Sequence, residues 1–309
     1  MTQRTAPHSF ETRQEAVRYI AECERSFRDR VVEMAKNLAA EPDLHLIGLS
    51  GPTCAGKTTT GTILIDHLKQ AGRRVHMISV DDFFLEQPGI REKLKQPGAE
   101  PPDFDSIDAL DLELFTKCLD ELMRTGHTVL PRFNLGEGIR EGTRELTVED
   151  DQDVFLLEGI QVVYPEINAL LRRYHYRSIF TNVGSSLTVG GVTYAPEHVR
   201  FMRRVVRDYH FRSSDAEFTF FLWNSVRENE KKNILPYADG CDTKLDSLMG
   251  YEIGMLRPYL ELILRQMPPA SSYRAQAEDI LSSVSRVQTL SNELLPSDAL
   301  YREFVPMKK

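Results

Sequence analysis

The stretch LIGLSGPTCAGKTTTGTILI, residues 46 to 65, leads from an apolar run through a glycine-bracketed turn into a segment with helical character. Its spacing of Gly51, four residues, Gly56, Lys57 and Thr58 is the phosphate-binding loop pattern. Glycine permits the backbone conformations that bring N–H groups against a phosphate chain. The helix start that follows adds unpaired N–H groups and a positive dipole end, which favour an anion. The sequence therefore predicts a nucleotide site here.

The residue types in this loop predict a role for each position. Lys57 would reach the β and γ phosphates, and the Thr58 hydroxyl would complete the coordination of Mg²⁺. The other loop residues would bring their backbone N–H groups to the phosphate oxygens. We therefore expect the nucleotide to be bound by Gly51, Thr53, Cys54, Ala55, Gly56, Lys57, Thr58 and Thr59.

Hydrophobic periodicity on both sides of the loop predicts alternating strands and helices. Strands are expected at residues 44–49, 74–80, 153–157 and 176–183, with a short edge strand at 127–130 and loops at 85–103 and 184–195. Helices are expected at 58–70 and 110–124, as one or two helices within 10–40, and throughout the chain after residue 196. Strands separated by helices indicate a mostly parallel sheet with helices on both faces.

These elements predict an α/β fold, a three-layer sandwich of the P-loop NTPase type with a mostly parallel central sheet. We expect this P-loop domain to cover residues 44–267, with a helical lid at about 184–215. A helical extension would precede it over residues 1–43, and a helical tail would follow it over residues 268–309.

Composition places the chain among ordinary globular proteins. Of its 309 residues, 41% are hydrophobic and 27% charged, and the net charge of -8 argues against a nucleic-acid partner. Four cysteines without paired spacing fit a reducing interior. No apolar run approaches the roughly 18 residues of a membrane span. We expect a cytoplasmic protein without membrane or nucleic-acid partners, and a homo-oligomer stays open.

Acidic residues follow two of the predicted strands. Asp81 and Asp82 end the strand at 74–80, and Glu158 follows the strand at 153–157. In open α/β sheets, ligands bind beyond the carboxyl ends of the strands. A carboxylate there can accept the proton of an attacking hydroxyl or hold Mg²⁺. We expect that role for Asp81, whereas Asp82 would cap the following turn.

Arginines recur at helical spacing in EHVRFMRRVVRDYHFR, residues 197–212. Arg200, Arg204 and Arg207 follow steps of four and three, with Arg203 adjacent, so their guanidinium groups would share one broad face. A solvated basic face is one interpretation. A lid helix is the interpretation we favour, because a nucleotide site needs positive charge around the migrating phosphoryl group.

Several motifs together resemble a known family. GPTCAGKTT, ISVDDFF, PDFDSIDALD, VLPRFN, LLEGI and RRVVRDYHFR occur in the order of the uridine kinase and phosphoribulokinase family of P-loop kinases. The chain is most similar to the bacterial uridine kinase-like nucleoside kinases, over about residues 44–309. The resemblance implies that Mg²⁺-ATP donates its γ-phosphoryl group to the hydroxyl of a small molecule. The 5′-hydroxyl of a nucleoside such as uridine is the acceptor that it favours.

The resemblance also implies roles for individual residues in the transfer. Asp81 matches the acid that stands by the sugar hydroxyl as base and near Mg²⁺, and Glu158 matches the glutamate on the metal side. Thr58, Glu158 and Asp81 would thus hold the metal. Arg204, Arg207 and Arg212 resemble the lid arginines, one of them oriented by Asp208. We expect the transfer itself to involve Lys57, Asp81, Arg207 and Arg212.

On the acceptor side, Phe84 matches an aromatic residue beside the substrate, and Asp105 matches the acid that accepts hydrogen bonds from ribose hydroxyls. Phe104 would pack near the base. Arg204 completes the residues expected around the substrate from the motifs, and VLPRFN contributes Arg132 and Phe133.

This sequence departs from the family where relatives read the pyrimidine. It carries Phe133 in place of a tyrosine, and Gly138 near the position of a histidine. Sites built on hydrogen bonds discriminate strongly, so this loss affects the choice of acceptor. Arg132 could compensate or could bind an anionic substrate. Pantothenate, glycerate, a sugar or a sugar phosphate therefore remain alternative acceptors, and a regulatory nucleotide-binding protein with decayed activity remains an alternative function.

Overall fold

The computed structural model describes residues 2–89, 105–135 and 137–306. The strands, in chain order, are β1 Thr2–Thr5, β2 Leu46–Ser50, β3 Arg74–Ser79, β4 His127–Asn134, β5 Ile139–Thr147, β6 Asp153–Glu158, β7 Tyr176–Asn182, β8 Ser185–Val189, β9 Val192–Tyr194 and β10 Thr243–Asp246. The helices are α1 Arg13–Ala39, α2 Lys57–Gln70, α3 Leu112–Thr125, α4 Pro165–Leu171, α5 Pro196–Phe211, α6 Ala216–Asn229, α7 Glu252–Arg265 and α8 Arg274–Val284. Phe104 and most of the predicted loop at 85–103 lie outside the described residues.

A five-stranded parallel sheet forms the centre of the molecule, with strand order β10-β7-β2-β6-β3. Strand β2 lies in the middle, so every one of its residues is buried. Its register places Leu49 beside Glu158 of β6 and Ile179 of β7. The carboxyl ends of these strands therefore meet at one edge, and the phosphate loop leaves β2 at that edge. The predicted parallel sheet is confirmed.

Helices cover both faces of this sheet. Side chains of successive strand residues point to opposite faces, and Leu46 and Ile47 accordingly belong to two different hydrophobic clusters. The cluster around Ile47 includes residues from α1, α2, α5 and α7, whereas the cluster around Leu46 includes residues from α3 and α4. The predicted three-layer sandwich is confirmed as well.

The N-terminal region contains one long helix, within the range predicted for one or two helices. It also contains a strand that the sequence did not predict. Helix α1 begins after Thr12, whose hydroxyl accepts a hydrogen bond from the Glu15 N–H at 3.2 Å. It buries Ile20, Phe27 and Val31 against the core and packs on α2. Strand β1 pairs in parallel with β8. Its four residues, TQRT, are all exposed and show no apolar alternation, so no sequence signal marks them.

The predicted edge strand at 127–130 is wrong in its placement. Strand β4 does not join the parallel sheet; it pairs antiparallel with β5 to form a separate two-stranded ribbon, with His127 opposite Thr147. Strand β5 is mostly polar and largely exposed, so its sequence lacks the apolar pattern on which strand predictions depend. The ribbon extends from α3 toward the carboxyl edge of the sheet, where Phe133 contacts Phe84.

Two further predictions need correction. The loop predicted at 184–195 contains the hairpin of β8 and β9, turned by Gly190 and Gly191 with φ values of 59° and 74°. The region after residue 196 contains strand β10 besides its helices. This strand has only four residues and pairs with β7 at the edge of the sheet, so the sequence shows no extended strand pattern there. Among the described residues, no helix combines the length and the apolar character that crossing a bilayer requires.

Helix α5 is buried rather than solvated. Arg200 and Arg203 are 1% and 0% exposed. Arg200 Nη2 lies 2.7 Å from Oε2 of Glu230, and Arg203 Nε lies 2.7 Å from Oε2 of Glu252. The solvated basic face is therefore wrong, and so is the prediction that Arg200 and Arg203 share a phosphate-facing surface with their neighbours. Their charges are neutralised inside the protein, since an unpaired buried charge is costly.

Replacing Arg203 with methionine should strongly destabilise the fold. Arg203→Met leaves Glu252 buried without its cation, which costs about 3–5 kcal/mol in the free energy of unfolding. Arg28→Met serves as the control, because Arg28 pairs with Asp298 at the surface and such pairs contribute about 1 kcal/mol or less. Urea unfolding of both variants measures the difference. Equal losses would show that the buried pair contributes no more than a surface pair.

Candidate functional site

The phosphate loop joins β2 to α2 at the carboxyl edge of the sheet. Gly51 has φ +154°, and a Cβ there would collide with the carbonyl oxygen of Thr181 in β7. Gly56, the N-cap of α2, has φ +87°. Cys54 is one of the few non-glycine residues with positive φ, at 57°. The two glycines therefore stand where a side chain is excluded by space or by backbone conformation.

Lys57 lies over this loop. Its ammonium group donates hydrogen bonds to the carbonyl oxygens of Gly51, at 2.9 Å, and Pro52, at 3.3 Å. The positive charge thus lies inside the concave side of the loop, beside the first N–H groups of α2, which have no carbonyl partner one turn earlier. The Thr58 side chain is exposed next to it. Positive charge and helix N–H donors at one point suit a polyanion.

Two carboxylates face Lys57 from neighbouring strands. Asp81 follows β3 and Glu158 ends β6, and the two strands pair directly. Burial, together with the negative charge of Glu158, raises the pKa of Asp81 to about 6, although Lys57 opposes the shift. Burial also raises the pKa of Glu158; Lys57 lowers it, and Glu303 raises it further. At both carboxylates, burial therefore outweighs the favourable charge of Lys57.

The sequence predicted that Asp82 caps the turn after β3, and the structure gives its side chain a different partner. Its Oδ1 accepts a hydrogen bond from the Phe133 N–H at 3.2 Å, so Asp82 holds the end of the β4–β5 ribbon against the sheet. Asp82, the neighbour of Asp81 in the chain, therefore positions Phe133, an aromatic residue expected near the substrate. A local turn was expected because sequence alone does not show which strand comes to face Asp82.

Two of the acceptor-side residues, Phe84 and Phe133, meet at this ribbon. The rings of Phe84 and Phe133 lie 5.8 Å apart between centroids, and both belong to the predicted set. The backbone carbonyl of Asp105 accepts a hydrogen bond from the Tyr164 hydroxyl at 2.6 Å. Arg132 is exposed on β4. Phe104 lies outside the described residues.

Three of the predicted lid arginines surround one carboxylate. Asp208 Oδ1 lies 2.6 Å from Nη2 of Arg207 and 3.7 Å from Nε of Arg212, while its Oδ2 accepts from Nε of Arg204 at 3.2 Å. Burial opposes ionisation of Asp208, but the charges of Arg207, Arg204 and Arg212 lower its pKa below the usual range. Arg212 also carries its charge near Asp81. The structure thus brings these arginines to the carboxylate end of the site.

Arg200 and Arg203 of α5 contact carbonyl groups of the phosphate loop. Arg200 Nη1 donates to the Thr53 carbonyl at 3.2 Å, and Arg203 Nη1 donates to the Cys54 carbonyl at 3.1 Å. These bonds hold the loop from behind, so its N–H groups can face the opposite way. Their role is structural support of the loop, which corrects the sequence-based placement of Arg200 and Arg203 on the lid face.

Sequence reasoning missed three residues at this site. Glu303 accepts hydrogen bonds from Thr59 at the start of α2. Arg140 of β5 donates to Asp111 at 2.8 Å and ties the ribbon to the turn before α3. Tyr164 donates to the Asp105 carbonyl and accepts from Nδ2 of Asn229 at 3.0 Å. Only Glu303 had a sequence signal, because it lies in the terminal stretch ALYREFV that resembles family members.

With this geometry established, comparison with known proteins identifies the family. The model of the "Phosphoribulokinase / Uridine kinase family" matches residues 46–253, about two thirds of the chain. The chain belongs to that family. It is accordingly a phosphotransferase that acts on a hydroxyl group. The family model ends within α7, so the resemblance of the segment after it stays a prediction.

Individual relatives are more distant. The chain is 25% identical to a uridine kinase of Aliivibrio fischeri (strain MJ11) over 195 residues, covering 62% of this chain and 77% of that protein. It is 26% identical to a uridine kinase of Schizosaccharomyces pombe over 212 residues, covering 65% of this chain and 42% of that protein. A solved structure of a possible uridine kinase from Bacillus stearothermophilus superposes with a TM-score of 0.43 at 20% identity, covering 72% of this chain and all of that chain.

The donor set at the carboxyl edge fits a magnesium ion. Mg²⁺ prefers oxygen ligands and is usually held by one or two carboxylates together with substrate phosphates. Asp81 and Glu158 supply two half-buried carboxylates, and Thr58 supplies an exposed hydroxyl beside Lys57. Within residues 2–89, 105–135 and 137–306, no group of three or more His, Cys, Asp or Glu side chains forms a metal cage. The site therefore suits a metal that arrives with a phosphate ligand.

Replacing Asp81 with asparagine should stabilise the protein at pH 8. The folded state holds the Asp81 proton more tightly than the unfolded chain does, with a pKa of about 6 against 3.8. Ionising Asp81 therefore favours unfolding as pH rises through that window, and the full penalty is present above pH 6. We expect Asp81→Asn to raise the free energy of unfolding by about 1–3 kcal/mol at pH 8.

The gain should shrink to less than about 1 kcal/mol near pH 4, where Asp81 is protonated in the folded protein and only partly ionised in the unfolded chain. Urea unfolding without added Mg²⁺ at both pH values measures this. Asp66→Asn, at an exposed position of α2, should change the stability at neither pH. A stability gain from Asp81→Asn of the same size at pH 4 and pH 8 would contradict the titration argument.

Proposed function

We propose that this protein transfers the γ-phosphoryl group of ATP to a hydroxyl of a small molecule, and that the 5′-hydroxyl of a nucleoside is the acceptor. One observation carries the proposal: the carboxylates of Asp81 and Glu158 face Lys57 of the phosphate loop across the carboxyl edge of the sheet. A base, a metal site and a phosphate site thus lie together. Phosphoryl transfer requires these parts.

The nucleotide would be bound by the phosphate loop and the start of α2. Lys57 would exchange its contacts with the Gly51 and Pro52 carbonyls for phosphate oxygens. The backbone N–H groups of the loop would donate to the same phosphates. Thr58, Glu158 and Asp81 would hold Mg²⁺, which neutralises phosphate charge when it is bound.

Asp81 would accept the proton of the attacking hydroxyl. The pKa of about 6 keeps this carboxyl mostly ionised at neutral pH and makes it a stronger base than an ordinary aspartate. A base whose pKa lies near the working pH is efficient in proton transfer. The proton would move from the acceptor hydroxyl to a carboxylate oxygen of Asp81 while the hydroxyl oxygen bonds to the γ-phosphorus. The bond from this phosphorus to the bridging oxygen would break, and ADP would leave with its electron pair.

The arginines around Asp208 would stabilise the transferring group. Arg204, Arg207 and Arg212 bring three positive charges to a single carboxylate, so their side chains are oriented before any substrate binds. Preorganised donors cost little reorganisation during the reaction. Arg212, whose charge lies near Asp81, and Arg207 would neutralise negative charge as it develops on the phosphoryl group.

The nucleoside acceptor is supported by the uridine kinases among the relatives and by the apolar rings of Phe84 and Phe133, which lie at 59° to each other and would pack against a base. Phe104 would add to that surface. Asp105 would bind ribose hydroxyls, and Arg204 would contact the acceptor side. Arg132 would lie at the rim.

A second acceptor class is favoured by one observation. Phe133 and Gly138 carry no polar side-chain atom where relatives read a pyrimidine, whereas Arg132 is exposed nearby. An anionic acceptor such as pantothenate, glycerate or a sugar phosphate would pair with that cation. A neutral sugar and a regulatory protein without turnover are the further alternatives.

ADP release across an acceptor panel tests the proposed function. The purified protein is assayed with Mg²⁺-ATP and nucleosides, pantothenate, glycerate, sugars or sugar phosphates in turn. We expect a nucleoside to stimulate release, and Lys57→Ala to lower kcat by about 100-fold or more, because a charge aimed at the transition state is lost. Asp81→Asn should also abolish stimulation. Unchanged turnover in Lys57→Ala would refute its role, and stimulation by another acceptor alone would exclude the nucleoside.

Asp105→Ala should weaken acceptor binding before it affects the chemistry. Loss of a charged hydrogen-bond acceptor should raise the acceptor KM by about tenfold or more, while the KM for ATP stays within about twofold. The backbone carbonyl that Tyr164 contacts is retained in the variant. Asp108→Ala, three residues further along and exposed, is the matched control and should change neither constant. An unchanged acceptor KM in Asp105→Ala would remove this residue from the site.

A further inference from the structure

A glutamate from the C-terminal segment, residues 292–306, lies at the start of α2, the helix that follows the phosphate loop. Oε2 of Glu303 accepts hydrogen bonds from the Thr59 N–H at 3.2 Å and from the Thr59 hydroxyl at 3.0 Å. The two residues are 244 positions apart in the chain. Thr59 is the third residue of α2, so the carboxylate occupies part of the positive end of the helix dipole.

The backbone that carries Glu303 is firmly held. Leu300, Tyr301 and Phe304 are fully buried around it. A Cβ at Gly56 would touch Cδ1 of Leu300 at 3.1 Å, so the segment lies directly against the phosphate loop. The guanidinium of Arg203 lies 4.8 Å from the ring centroid of Phe304. Glu303 itself is only partly buried, so its side chain can turn without moving the backbone.

The Tyr301 hydroxyl adds a polar anchor, because it donates to Oε2 of Glu252 at 3.0 Å. Glu252 also pairs with Arg203, whose Nη1 binds the Cys54 carbonyl in the loop. The C-terminal segment and the phosphate loop therefore share one buried hydrogen-bonded network. The proximity of Glu303 to Thr59 is a consequence of that network and is not a chance surface contact.

Glu303 adds negative charge where a nucleotide would bring its own. Its charge contributes to raising the pKa of the Glu158 carboxyl, and it lies near the Arg207 guanidinium. The amide at the start of α2 is a donor that a phosphate oxygen would use. The Glu303 carboxylate and a phosphate oxygen cannot both lie at hydrogen-bond distance from Thr59, because two negative charges that close repel each other. They would therefore compete for the Thr59 N–H group and hydroxyl.

We propose that Glu303 is an intramolecular competitor of the nucleotide phosphate: its carboxylate occupies the Thr59 donors in the free protein and turns away when a nucleotide binds. This inference rests on the proposed nucleotide site at the phosphate loop. It assigns to Glu303 a control of nucleotide affinity, since each binding event must first break two hydrogen bonds to a charged acceptor. The backbone of residues 292–306 stays in place throughout.

Nucleotide affinity and thermal stability of Glu303→Gln test this proposal. Glutamine keeps the size of the side chain and removes its charge, so we expect Mg²⁺-ATP to bind about tenfold more tightly by titration calorimetry. The free variant should melt at a lower temperature than the native protein, because the charged contact is lost. The melting temperature should rise more on adding Mg²⁺-ATP than it does for the native protein. A merely structural role would not produce these opposite shifts.

Three further variants complete the experiment. Glu303→Asp, whose carboxylate is one methylene shorter, should also bind Mg²⁺-ATP more tightly if reach to Thr59 is what matters. Asp298→Asn lies on the same segment, pairs with Arg28 at the surface, and should leave the affinity unchanged. Lys57→Ala should lose affinity and thereby reports on the nucleotide site itself.

Equal or weaker binding by Glu303→Gln, with binding lost in Lys57→Ala, would overturn the competition and leave the proposed function intact. Binding of Mg²⁺-ATP by the native protein that Lys57→Ala does not weaken would contradict the proposed site, and with it this inference. The same holds if neither the native protein nor Glu303→Gln binds. Tighter binding by both Glu303 variants but not by Asp298→Asn supports the proposal.

Discussion

The buried guanidinium of Arg203 joins the phosphate loop to the rest of the molecule. It donates to the Cys54 carbonyl, to the Ser247 hydroxyl and carbonyl, and to both oxygens of Glu252. Cys54 has a positive φ that costs energy for a residue with a side chain. The loop can keep this conformation because Arg203 holds its outer carbonyl in place. The phosphate loop, α5, α7 and the C-terminal segment thus depend on a single side chain.

The sequence predicts the parts of the fold in which local pattern and burial agree. The strand at 74–80, the helix at 58–70 and the loop between Gly51 and Thr58 need no distant information, because glycine spacing and apolar runs specify them. Strands β5 and β10 were not predicted, since both are short or polar and depend on partners elsewhere in the chain. The predicted edge strand at 127–130 is wrong in its placement for the same reason, because β4 pairs with β5.

The candidate site was predictable only in part. Strand ends and recognisable motifs were enough to predict Asp81, Glu158, Phe84 and Phe133 as site residues. Arg200 and Arg203 share the helical spacing of the lid arginines, and sequence cannot distinguish them from Arg204 and Arg207. The difference lies in their partners, because Glu230 and Glu252 bind Arg200 and Arg203, whereas Asp208 binds Arg204 and Arg207.

The free protein must satisfy two opposing needs at the start of α2. Its N–H groups must remain available to an anion, and they are most stable when an anion is present. The carboxylate of Glu303 meets the second need inside the molecule, because it accepts hydrogen bonds from Thr59. It also places a third negative charge near Glu158 and raises the pKa of that carboxyl further. Lys57 offsets only part of the repulsion among these carboxylates, since the pKa values of Asp81 and Glu158 stay raised. A cation that arrives with phosphate would relieve that repulsion and displace the glutamate together, so nucleotide and metal are expected to bind cooperatively.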